Sequence, residues 1–173
     1  MSWFNQVSDI LKQYTGASAT TASPSAHADF AKVAEQAPPS VISGGLAEAF
    51  RSQSTPPFAE MVAHMFGQSD GTQRAGILNH LIAAAGPAAM SGGLLSSLKG
   101  AMSGSGSQPT VTPDQAQQIQ PDAVRQLAEH AEKRDPSVVD RASDFYAQHP
   151  TLVKGLGTAA VALIIRHISS KPH

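Results

Sequence analysis

Apolar residues recur along this chain at intervals of three and four, and almost nowhere at two. Trp3, Phe4, Val7, Ile10, Leu11 and Tyr14 follow the i, i+3, i+4, i+7 template, which predicts an amphipathic helix over 1–14 with Ser2 as its cap. Comparable faces predict helices over about 26–37 (Phe30, Val33, Ala34), 41–53 (Ile42, Leu46, Phe50), 56–66 (Phe58, Met61, Val62, Met65) and 72–85 (Ile77, Leu78, Leu81, Ile82). A sixth, over 87–102, is weakened by Gly92 and Gly93. The second half offers a short helix from Pro113, then 121–134, 136–148 and 150 to about 169. No alternating stretch rich in β-branched residues competes, so the chain reads as all-α.

Proline punctuates these stretches. Thr55-Pro56, Thr112-Pro113, Gln120-Pro121, Asp135-Pro136 and His149-Pro150 each precede an apolar-periodic run, and proline suits a first helical turn because the amide it lacks would be unpaired there. Each pair therefore predicts a helix start. Thr112-Pro113-Asp114-Gln115 also fits a capping box, with Thr bonding the third amide and Gln reaching back. Two tracts, Gly16 to Ser23 and Ser103 to Gln108, have no apolar residue beyond Ala to offset the entropy of ordering, so they read as linkers. The predicted organisation is an N-terminal amphipathic helix (1–14), a flexible linker (15–25), a first helical block (26–102), a Gly/Ser linker (103–110) and a second helical block (111–173).

The two blocks share a pattern. Residues 34–42 (AEQAPPSVI) align with 131–139 (AEKRDPSVV) at an offset of 97, with five identities and one conservative pair. The register extends back to Phe30 and Leu127 and, after a two-residue slip, forward to Phe50 and Phe145. The expected architecture is a helical bundle built from two pseudo-repeated blocks plus the short first helix.

The opening Met1-Ser2-Trp3-Phe4-Asn5-Gln6-Val7, the Gly/Ser interruption and the block from Thr110-Val111-Thr112-Pro113-Asp114-Gln115-Ala116 through Val124, Leu127-Ala128, Pro136-Ser137-Val138-Val139 and His149-Pro150-Thr151-Leu152-Val153-Lys154 resemble the bacterial YidB-like family. The resemblance spans about half the chain. It implies a small, all-α bacterial protein and carries over no catalytic residue.

Composition narrows the chemistry. Of 173 residues about a third are Ala, Ser or Gly, while aromatics make up 5% and charged residues 14%, against about 25% charged in ordinary globular chains. Without cysteine there are no disulfides, Cys-ligated metals or thiol nucleophiles. A net charge of −1, with seven acidic and four basic residues over 111–149, gives no basic footprint for nucleic acid. Phosphate-binding Gly motifs, the Gly-x-Ser-x-Gly frame and His-x-x-x-His spacing do not occur. Glu60 and His64 share a helix face at i, i+4, but no second pair of that spacing joins them, so they read as surface polar groups rather than metal ligands. His130, His149, Arg74, Asn79 and His80 are equally unaccompanied.

Two apolar surfaces remain. The first helix carries the sole Trp, and the last is apolar over most of its circumference, with a Gly155-x-x-x-Ala159 spacing that permits close backbone approach. The expectation is a non-enzymatic protein without cofactor or metal, acting by protein–protein interaction or self-assembly through Trp3, Phe4, Val7, Ile10, Leu11, Tyr14, Leu156, Leu163 and Ile164. Two alternatives stand beside it. One is peripheral membrane association, favoured by three basic and no acidic residues over 150–173; the other is small-molecule or metal binding around Glu60 and His64. The longest apolar run, Gly155 to Ile165, is too short to span a bilayer, which takes about 20 residues. With no readable leader at Met1 to Tyr14, the cytoplasm is the expected location.

Overall fold

The computed structural model describes residues 3–15, 24–89, 110–153 and 155–170. Most of the two predicted linkers and most of the predicted 87–102 helix lie outside these, as does Ser2. Ten helices and no strand occur among the described residues: α1 (Trp3–Gln13), α2 (Ala26–Gln36), α3 (Pro39–Arg51), α4 (Phe58–Gln68), α5 (Gly71–Ala89), α6 (Pro113–Gln117), α7 (Pro121–Arg134), α8 (Val138–Ala147), α9 (Pro150–Val153) and α10 (Thr158–Ser170). The fold is all-α.

Local chemistry sets most boundaries. At α6 the capping box forms as read from the sequence: Gln115 N–H donates to Thr112 Oγ1, and Thr112 N–H donates to Gln115 Oε1 at 3.0 Å. Pro121 opens α7, whose first turn carries Asp122 and last turn Lys133 and Arg134, each matching the sign of the helix dipole. Two proline pairs behave differently. Thr55 does not start α4; its hydroxyl turns back to donate to the Ala49 and Ser52 carbonyls, finishing α3, and α4 begins only at Phe58. Asp135 likewise stands before a turn, its carboxylate taking the Ser137 N–H at 3.1 Å and Oγ–H at 2.6 Å, so α8 begins at Val138. In α5 Gly86 adopts φ 70°, the one left-handed residue among those described, and kinks the helix just before Pro87.

The expected single helix from Pro150 to about Ser169 is divided. α9 ends at Val153, and Gly155 to Gly157 form a turn before α10. The Leu156 carbonyl, freed from helical bonding, accepts a hydrogen bond from His27 Nε2–H at 2.9 Å. Gly155 and Ala159 therefore do not lie one turn apart on a common helix, and that predicted packing motif is absent.

The chain forms two compact units, Met1–Pro57 with Ser143–His173, and Phe58–Ala142. Each draws on residues from both sides of the Gly/Ser tract, so the units divide the chain differently from the two sequence blocks. In the discontinuous unit α10 packs on α3, α2 and α1, and α9 on α2. Phe30 and Val33, Ile42, Leu46 and Phe50, and Val161, Ile164, Ile165 and Ile168 fill its core. Small residues let α3 and α10 approach: a Cβ on Gly45 would meet Ile164 Cγ2 at 2.9 Å and the Ile164 carbonyl oxygen at 3.0 Å. In the continuous unit α7 packs on α4 and α5, and α6 on α5. Its core contains Phe58, Met65 and Phe66 with Ile77, Leu78, Leu81, Val124 and Leu127.

The breaks in the two matched segments fall one position out of the sequence register, in which Ala37 aligns with Arg134 and Pro38 with Asp135. Ala37 and Asp135 both leave the helical region, and their amides donate back to Val33 and Ala131 at 2.7 and 2.8 Å.

Candidate interaction surfaces

In α1 the apolar stripe splits into a buried and a half-buried part. Val7, Leu11 and Tyr14 are at most 3% exposed, packed toward α2 and α10. Tyr14 also donates its phenolic hydrogen to Asp29 Oδ2 at 2.8 Å, and Ser25 Oγ–H reaches the same oxygen at 3.0 Å, so a buried carboxylate on α2 ties down the end of α1. Such a bond to a charged group contributes more than a neutral one, about 1.5–3 kcal/mol. Trp3 and Phe4 meet edge to face, ring centroids 5.9 Å apart at 88°, and are only half-buried; so is Ile10. Tyr14 is read from the sequence as part of an amphipathic stripe, but its bond to Asp29 crosses the segment between the helices and leaves no periodic signal.

In the C-terminal segment, Leu156 and Ile164 are enclosed, whereas Leu163 is half-exposed on the side of α10 that also carries Ala159 and Arg166. Of the nine residues expected to form contact surfaces, Val7, Leu11, Tyr14, Leu156 and Ile164 are buried within their own unit. Trp3, Phe4, Ile10 and Leu163 retain accessible surface.

Of the polar residues that the sequence leaves unaccompanied, Arg74 and Asn79 hold backbone. Arg74 lies 4.9 Å over the Phe66 ring and donates to the Ser69 and Gly67 carbonyls at 3.0 and 3.1 Å, closing the end of α4. Asn79 accepts the Val111 N–H at 2.9 Å. The ring of half-buried His149 packs 4.8 Å from that of Phe145. His167, on α10, pairs through Nδ1 with the Glu48 carboxylate, and its Nε2 is buried beside Gly44 without a partner.

In the continuous unit an open cleft of about 610 Å³ lies at the surface between α4 and α7. Glu60, His64 and Gln68 form one wall and Asp122 and Arg125 the other. Gln68 donates to His64 Nε2 at 3.1 Å, while Arg125 engages Glu129 at 3.0 Å and Asp122 at 3.5 Å. Glu60 and His64 are both exposed, as surface polar groups are. Among the described residues no group of three or more His, Asp or Glu is placed to hold a metal ion, and no helix is long and apolar enough to cross a membrane.

Asp135 and Tyr146 are electrostatically displaced. The Ser137 hydroxyl bonded to Asp135, assisted by the Ser137 amide and Arg141, holds this carboxyl below its ordinary range. Burial pushes the Tyr146 phenol far upward; its hydroxyl is enclosed with no hydrogen-bond partner.

No protein-family model, curated protein or solved structure matches the chain.

Proposed function

We propose that this is a bacterial, cytoplasmic helical protein that acts by self-association, using the accessible remainder of α1. The observation that carries the reading is the division of that helix. Val7, Leu11 and Tyr14 are consumed in anchoring it, yet Trp3 and Phe4, two large rings in edge contact, remain half-exposed beside Ile10. Aromatic side chains bring large contact area at low entropic cost, and a rigidly docked helix presents them already ordered. Leu163 supplies a second accessible apolar position on α10.

Size-exclusion chromatography with light scattering, run over a range of concentrations, tests this. The intact chain is expected to show a mass above 17.9 kDa that rises with concentration. Replacing Trp3 and Phe4 together by Ala is expected to weaken association about tenfold or more, the scale of losing one interfacial anchor, while helicity is retained because the three buried anchors are untouched. A wild-type chain that stays monomeric at every concentration overturns the proposal.

A further inference from the structure

We draw no further inference here: the strongest candidate, the open cleft between α4 and α7 lined by Glu60, His64 and Asp122, has its one guanidinium already engaged by Asp122 and Glu129, and nothing in the structure shows what would fill it.

Discussion

Tyr146 is the clearest case of a residue whose polar atom works against its surroundings. Its ring meets Phe50 at 6.4 Å and Phe145 at 5.4 Å, both edge-on, so the apolar body is well placed. Its hydroxyl is buried and unpartnered, which costs about 1–3 kcal/mol. Tyr146→Phe keeps the ring and removes the penalty, so the unfolding free energy from urea denaturation is expected to rise by about 1 kcal/mol; a fall of that size would reveal a bonding partner for the hydroxyl. Asp135 behaves in the opposite sense. Its folded pKa lies below the unfolded one, so its contribution is present above the unfolded pKa and is lost as pH falls through the folded one. An NMR titration is expected to place its midpoint below that of a free aspartate, and Ser137→Ala to move it upward, because the Ser137 hydroxyl is the largest cause. A midpoint unchanged by that substitution would contradict the assignment.

At the scale of elements, the helices were legible where one face is apolar and the other polar. In α1 and α2 burial follows the predicted stripe at Val7 and Leu11, and at Phe30 and Val33. The break between α9 and α10 was not legible by periodicity, since apolar side chains continue through Leu156 and Val161 on either side of it. Only Gly155 and Gly157 marked it, and the stabilising partner, His27, lies 129 residues away. Thr55 was misread for a related reason. A Thr-Pro pair looks the same whether its hydroxyl caps the helix ahead or the one behind, and that choice depends on where the α3 carbonyls end. Gly45, by contrast, had no assigned role until α10 was placed against it. Gly45→Ala forces Cβ into Ile164, including its backbone, and is expected to cost about 1–3 kcal/mol in chemical denaturation. Gly157→Ala, with nothing within 4 Å of the added carbon, tests loss of a glycine without that clash.

The composition of the two units was the least legible property of the molecule. Contacts between α2 or α3 and α10 join segments more than a hundred residues apart, and no local pattern encodes such pairings. The surfaces left for association were only half legible for the same reason: the sequence marks an apolar stripe on α1, but which of its residues are spent on the chain's own core depends on the distant α10. An independent test follows from the continuity of one unit and the discontinuity of the other. Residues 58–142 expressed alone are expected to give a cooperative thermal transition by circular dichroism. Residues 1–57 alone are expected to lack one and to acquire it when mixed with a 143–173 peptide; cooperative folding of 1–57 unaided would show that α10 is dispensable to that core.

That same discontinuity imposes an order in time. A ribosome adds about 5–20 residues each second, so α2 and α3 wait on the order of ten seconds after synthesis before α10 exists to cover them. During that interval α1 alone can pack on α2, and Ile42, Leu46 and Phe50 of α3 lack the helix that covers them, while residues 58–142 can already close around their own core. Neighbouring nascent chains on one messenger would then expose the same unfinished surface to each other, which makes α10 the element that ends a window of vulnerability as well as the last wall of a core.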